Sequence, residues 1–312
     1  MIERNFDGYF QQVNELAGKK DKKGYEIENL FEPIMINHKC EIVLRLLPQP
    51  ATETAPFVEN RTHSFKDTDG KWKVVDCLRK NNHKCPLCDW NSAVFDAFPK
   101  EKAKDVLKKA GAKKAKKTYI CNVYVVKHPG NPDSEGKVYR FKFGVQIMDK
   151  LLEKLNGKDD PDKGHIAGVN VFDYYKGANL IYKAKDTEFG PNPEESYFGD
   201  QKPISDKNNN PLTDQEIEAI DAKLYTLKEC EKDTSKETFE DVLDTYEKLA
   251  AKKLYDRTKE DPQGKYKYMP IIPGVDPSNT AATNESVRSE DAEPAAEKPS
   301  SENIDEFLND LT

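Results

Sequence analysis

The stretch "CLRKNNHKCPLC", residues 77–88, puts three cysteines into twelve residues and constrains the fold more than any other part of the chain. Two residues separate Cys85 from Cys88, a spacing that lets both sulfurs face one ion. Cys77 ends a strand-like run, "KWKVVDC" (71–77). A structural zinc site needs four tetrahedral ligands, so a fourth must come from nearby, and the candidates are His63 and His83. His83 lies one residue from Cys85, which makes joint ligation awkward. His63 precedes the turn residues "DTDG" (67–70), and a short hairpin there returns it beside Cys77. The spacing therefore favours one structural zinc ion on His63, Cys77, Cys85 and Cys88. The competing readings are ordinary reduced cysteines and a thioredoxin-like redox pair, the latter expecting a βαβ setting and no third thiol. Four protein ligands leave no position for a substrate, which argues for structure and against catalysis. Cys40 and Cys121 lie in strand-like runs and read as small core residues, and Cys230 has no assigned role.

The rest of the chain is hydrophilic, 36% hydrophobic and 34% charged, so part of its length is expected to be arm, linker or tail. No apolar run approaches the roughly 18 residues of a spanning helix. The N-terminal "MIERNFDGYFQQ" lacks the apolar centre of a signal peptide, and a cytoplasmic protein with reduced thiols is expected. The net charge of −7 is unevenly spread: Asn284 to Thr312 holds nine acidic residues against Arg288 and Lys298, which accounts for all of it. Lys100 to Lys127 holds ten lysines against Glu101 and Asp105. A basic stripe and an acidic tail in one chain suggest a polyanionic ligand and something that competes with it.

Strand-like runs are "CEIVLRLLP" (40–48), "KWKVVDC", "TYICNVYVVK" (118–127), "KVYRFKFG" (137–144) and "NLIYKAK" (179–185). Helical patterns cover 90–110, 148–155, 213 to about 229 behind the capping box "TDQE", and 238–255. Residues 190–212 read as loop, and His128 and His165 as exposed. Short strands with helices at the edges point to a small β-barrel or sheet with helical insertions. The expected domains are an arm, 1–24, a core, 25–255, with the metal-binding part at about 60–90, and a linker and acidic tail, 256–312. In the tail, Ile304, Phe307, Leu308 and Leu311 form one apolar helical stripe among Asp305, Glu306 and Asp310.

"KVYRFKFG" alternates Tyr139, Phe141 and Phe143 with Arg140 and Lys142. One face of such a strand is aromatic and the other cationic. Taken alone, this is a half-buried strand with a core face and a solvated face. Its neighbours suggest more: Lys113, Lys114, Lys116 and Lys117 lead up to Tyr119, Arg45 lies in another strand, and Tyr174, Tyr175, Tyr182 and Phe189 follow. Single-stranded nucleic acid is held by rings that stack on bases and cations that follow phosphates. No GxxxxGK[ST], GxGxxG or GxSxG motif is present, so a non-enzymatic binding protein is expected. A zinc-ribbon nuclease or an RNA-modifying enzyme is the alternative.

The ordered series "VLRLLP…APFVENRTHSFKDTDGKWKVVDC…CPLC…KKAKKTYICNVYVVKHPGNPDSEGKVYRFKFG" closely resembles the T-even phage type single-stranded DNA-binding proteins, also called helix-destabilising proteins, over about residues 25–200. The resemblance implies a mixed β and α fold, an OB-fold barrel with an inserted zinc subdomain, peripheral helices and a disordered acidic tail. It implies zinc on the same four ligands. It implies DNA contacts from Arg45, Tyr119, Phe141, Lys142 and Phe189, with the basic run 113–117 on the backbone; Tyr139 and Arg140 belong to the same strand face reading. It further implies cooperative self-association on DNA through the arm, and a tail (Ile304, Asp305, Glu306, Phe307, Leu308, Asp310, Leu311) that recruits replication and recombination proteins such as polymerase, helicase loader, primase and recombinase. Coating of DNA in replication, recombination and repair would then take place in the cytoplasm of an infected bacterium. The family's arm carries a Lys-Arg-Lys-Ser-Thr stretch near its start, whereas here only Arg4 is basic within "MIERNFDGYFQQ".

Overall fold

A computed structural model describes residues 27–160, 164–188 and 190–275. The arm 1–24, Phe189 and the tail residues Ile304, Asp305, Glu306, Phe307, Leu308, Asp310 and Leu311 lie outside the described residues.

The organising element is β4 (Lys116–Lys127), whose central residues are buried on both faces. Its β-branched and aromatic composition suits a pleated strand, and its near-continuous apolar run suits one covered on both sides. β5 (Val138–Gly144) pairs antiparallel along one edge, from Thr118↔Gly144 to Tyr124↔Val138. The other edge forks. β1 (Lys39–Leu46) takes the C-terminal half of β4, with Leu46 opposite Val123, and β2 (Phe57–Lys66) takes the N-terminal half, with Phe57 opposite Cys121. From β1 the sheet continues to β8 (Ala178–Thr187) and β10 (Tyr197–Gln201); from β2 it continues to β3 (Trp72–Asp76), which forms its edge. The small β9 (Gly190–Asn192) pairs with β8, and β6 (Lys158–Asp160) pairs with β7 (Gly164–Ile166) in a separate ribbon.

The result is a mixed α/β protein around a curled antiparallel sheet, with a core on each limb of the fork. The first core lies on the concave face, where Ile42, Leu44, Leu46, Tyr119, Cys121, Val123, Phe141, Phe143, Leu180 and Tyr182 meet Ile147, Met148 and Leu151 of α3 (Val145–Asn156). The second joins Phe65 of β2 to α1 (Pro86–Ala97), α2 (Lys100–Ala110) and α5 (Phe239–Ala250). Pro99 divides the single helical pattern expected over 90–110: the preceding Phe98 adopts an extended conformation and α2 restarts after the proline.

The structure differs from four expectations. The helix starting at Thr213, α4 (Asp214–Asp221), stops eight residues early although its capping box forms. Beyond it the backbone is claimed by the sheet: the Asn122 side chain donates to the Tyr225 carbonyl at 2.8 Å and accepts from its N–H at 3.1 Å, and Arg140 donates to the Thr226 carbonyl. Two cross-strand neighbours, Asn122 on β4 and Arg140 on β5, outweigh continued helix. Second, residues 256–275 are packed chain, because Trp90 donates to the Ile271 carbonyl at 3.1 Å, Tyr255 donates to the Pro86 carbonyl, and Ile272 is buried. The metal-binding part accordingly reaches well beyond 60–90. Third, His128 has no exposed surface: it bonds Ser134 Oγ through Nδ1 at 2.8 Å and accepts from the Ile34 N–H. The segment 190–212, expected as loop, also contains β9 and β10. Among the described residues, no helix is long and apolar enough to cross a membrane.

Candidate metal centre and nucleic-acid interface

β2 carries His63 on the same face as Phe57, Glu59, Arg61 and Phe65, because alternate residues of a strand share a face. β3 returns antiparallel, with His63 opposite Val75, and brings Cys77 to its end. The loop between Cys77 and Cys85 turns through a short 3-10 segment and closes on Asn82 at φ 58°, a left-handed conformation that asparagine tolerates. Cys85 precedes α1 and Cys88 lies in its first turn, so Pro86 starts the helix between the two thiols.

The four ligand atoms lie within 4.8 Å of one another. His63 Nε2 is 3.4 Å from both Cys85 Sγ and Cys88 Sγ, and Cys77 Sγ is 3.5 Å from Cys88 Sγ. A zinc tetrahedron places nitrogen and sulfur about 3.5 Å apart and two sulfurs about 3.8 Å apart. The residues therefore fit a tetrahedral ion. His63 Nδ1 is 3.0 Å from the Lys113 carbonyl. That bond puts the proton on Nδ1 and turns the Nε2 lone pair to the thiols, the outer contact that metal-binding histidines use. Chemistry also calls for a cation here. Burial opposes charge on His63, but hydrogen bonds to Cys77 and Cys85 outweigh it and carry its pKa up to about 10. Hydrogen bonds from Cys77 and Cys88 draw the Cys85 thiol down, while its bonds to Cys77 and Cys85 push Cys88 up. Three packed thiols cannot all ionise unless a positive ion joins them. His83 stays outside the cluster. Among the described residues this is the one His/Cys/carboxylate group suited to a metal.

Beside the centre lies a cavity of about 480 Å³. Arg61 and Lys117 enter it from facing positions on β2 and β4, with Lys114, Arg79 and Phe95 around them, and Cys77 and Cys88 form part of its wall. Four cations line it against one carboxylate, Asp96, which is held by Lys265 and the Tyr266 hydroxyl. Lys114 makes no ion pair among the described residues, whereas Arg79 holds the buried Asp89 at 2.8 Å. Arg61 pairs with Glu59, and Lys117 lies 3.6 Å from the same carboxylate.

The residues expected to touch DNA separate into distinct settings. Arg45 is fully buried and donates to Asn179 Oδ1 (2.8 Å), the Asp173 carbonyl (3.0 Å) and the Lys202 carbonyl (2.8 Å). Burial pulls its pKa down to about 10 against the pull of Asp173. Gly177 makes room for it, since a Cβ there would come within 2.8 Å of Arg45 Nη1. Arg140 is also buried, under Glu28, Thr226 and Glu229. Tyr119, Phe141 and Phe143 stack along the first core with centroids 5.7 Å apart at each step. Tyr139 packs half-buried against Phe31. In this structure Arg45, Arg140, Tyr119 and Phe141 spend their surface on the protein, and the alternation in β5 sets a core face opposite a polar face. Lys113, Lys114, Lys116 and Lys142 are exposed and Lys117 partly so. Strand alternation divides them. Lys117 points into the cavity, while Lys116 shares the opposite face with Lys142, whose pKa is lowered by partial burial and by Lys116 and Lys232.

Glu59, Arg61, Arg79 and Phe95 were not expected at the site. Parity was the available signal for the first two, since residues 59, 61 and 63 must share a face and His63 was already placed at the metal.

Residues 38–252 match the model of a protein family described as gp32 DNA binding protein like. The single-stranded DNA-binding protein of Enterobacteria phage T2 is 32% identical over 196 residues, 62% of this chain and 62% of that protein. The single-stranded DNA-binding protein of Enterobacteria phage T4 is 32% identical over 166 residues, 53% of this chain and 52% of that protein. The chain thus spans less than two thirds of the length of these curated relatives. The matched residues include the four metal ligands and the cationic cavity.

Proposed function

Because the chain belongs to the gp32 DNA binding protein like family, we propose that it binds single-stranded DNA without sequence preference, in the cleft beside the metal centre. The observation that carries this reading is the convergence of Arg61, Arg79, Lys114 and Lys117 on one cavity beside the metal centre. Four cations track a phosphate backbone and read no base edges, and Phe95, 42% exposed at the rim, offers a ring for stacking. The curled sheet serves as an OB-fold barrel, whose open face suits such a strand.

One structural zinc ion on His63, Cys77, Cys85 and Cys88 is part of the proposal. When bound, it supplies positive charge and a fixed tetrahedral geometry to three thiolates and an imidazole. The protein does the rest. The Lys113 carbonyl orients His63, and β2 transmits that position to Arg61 two residues away. No catalytic step is assigned. Binding to single strands draws the duplex equilibrium towards melting, by mass action.

The arm 1–24 is proposed to link neighbouring copies on DNA, and the segment 304–311 to recruit replication and recombination proteins through its acidic and apolar residues. Both roles place the protein in the cytoplasm of an infected bacterium.

The test is a titration of labelled oligo-dT with full-length protein at low and physiological salt, before and after chelation. Neutralising four phosphates predicts a log–log salt slope of about −3 for a single strand. Binding should weaken when the metal is removed. Salt-independent binding, or binding indifferent to Lys114→Gln and Lys117→Gln together, would overturn the cleft assignment.

A further inference from the structure

Two of the cations that line the cleft are held by a carboxylate, Glu59, that a ligand on them would have to meet. Glu59 sits opposite Tyr119 on β4, and Arg61 opposite Lys117. The Glu59 carboxylate accepts from Arg61 Nε and lies 3.6 Å from Lys117 Nζ. Tyr119 faces Glu59 across the strands, and its pKa is raised by burial and then by Glu59. The three charged side chains are 21–27% exposed, so the cluster is neither sealed nor freely solvated. Two of the four cleft cations thus converge on a single acid.

A carboxylate and a phosphodiester carry the same charge and present paired oxygens to a guanidinium in similar ways. We propose that Glu59 sets the affinity of the cleft for single-stranded DNA by standing where a backbone phosphate would sit on Arg61 and Lys117. This rests on the cleft assignment above. A phosphate that enters displaces a tethered competitor, which loses its two cations while DNA gains them. Binding is weaker than four free cations would make it, and release is easier. Lys114, without an ion pair among the described residues, meets no such competitor and provides the first phosphate contact.

The mutant Glu59→Gln keeps the size of the side chain and an acceptor oxygen while removing the charge. In the full chain, oligo-dT affinity at low salt should rise about fivefold to tenfold. The salt slope should steepen by about 0.7, the increment for one further neutralised phosphate on a single strand. In an Arg61→Gln/Lys117→Gln background the same substitution should change nothing, because the cations it frees are gone. If Glu59→Gln does not fold, Glu59→Asp, which withdraws the carboxylate by one methylene, should give a smaller gain in the same direction. Unchanged or weaker binding by the folded variant, with Lys114→Gln still weakening it, overturns the role of Glu59 and leaves the cleft standing. Binding that ignores Lys114→Gln as well overturns the cleft assignment and this inference with it.

Discussion

The core behind β4 and β5 is filled by side chains drawn from Phe31 to Ala184, with Tyr119, Phe143 and Phe141 stacked in series. The core around His63 is filled by α1, α2, α5 and the returning segment up to Ile272, and it includes three of the metal ligands among its buried residues. The first is closed by strand pairing along both edges of β4. The second has only the β2–β3 hairpin in common with the sheet, and the loop from Cys77 to Cys85 has one short 3-10 segment to order it. Such a loop loses backbone entropy on folding, offset in part by bonds of Arg79 to Asp89 and of Asn81 to Thr234. A tetrahedral ion on the proposed ligands would add a restraint there. Hydrophobic burial suffices for the curled sheet, while the neighbouring core is expected to depend on coordination as well.

The largest effect should come from breaking that dependence. Cys85→Ser, or exhaustive chelation, should abolish stoichiometric zinc, since structural zinc sites contribute about 10–16 kcal/mol in peptides. Hydrogen exchange should then accelerate across 63–112 and 239–275, while 119–125 and 138–143 stay protected. Simultaneous loss of both regions would show that the two cores fold as one unit. Next, Phe141→Ala should cost about 3–5 kcal/mol in denaturant unfolding through the cavity it leaves, with one zinc per chain retained. Zinc loss in that variant would break the comparison from the other side.

The proposed cleft predicts a smaller, directional effect. Lys117→Gln should weaken oligo-dT binding about fivefold at low salt and reduce the salt slope by about 0.7. Lys142→Gln on the opposite face should leave both nearly unchanged. Equal losses would place DNA on the outer face instead. The smallest contrast is between the two tryptophans. Trp90 is 1% exposed and donates to Ile271, whereas Trp72 is 63% exposed on the edge strand. Trp72→Ala should alter stability by no more than about 0.5 kcal/mol. Trp90→Ala should cost about 3–5 kcal/mol, read as a lower unfolding midpoint.

Much of the metal centre was legible before any fold was known. CxxC spacing and one hairpin turn are local, and a hairpin fixes where its own ends meet. The alternation in "KVYRFKFG" was equally legible, because parity is a property of any extended strand. The use of each face was not. Whether Phe141 meets base or core, and whether Arg140 meets phosphate or the Thr226 carbonyl, depends on chain segments 86–110 residues away. Arg45 illustrates this most clearly: nothing local to "VLRLLP" reveals that three acceptors from residues 173, 179 and 202 surround it.

The linear chain thus determined the donor set, the strand parities and the uneven spread of charge, all consequences of residue type and short spacing. Tertiary structure alone decided which cations stay free. It buried Arg45 and Arg140 under distant carbonyls, split the lysine run between two faces, and set Glu59 against Arg61 and Lys117. The physical reason is that a charge's availability depends on the dielectric and the partners around it, and those arrive only when remote segments pack together.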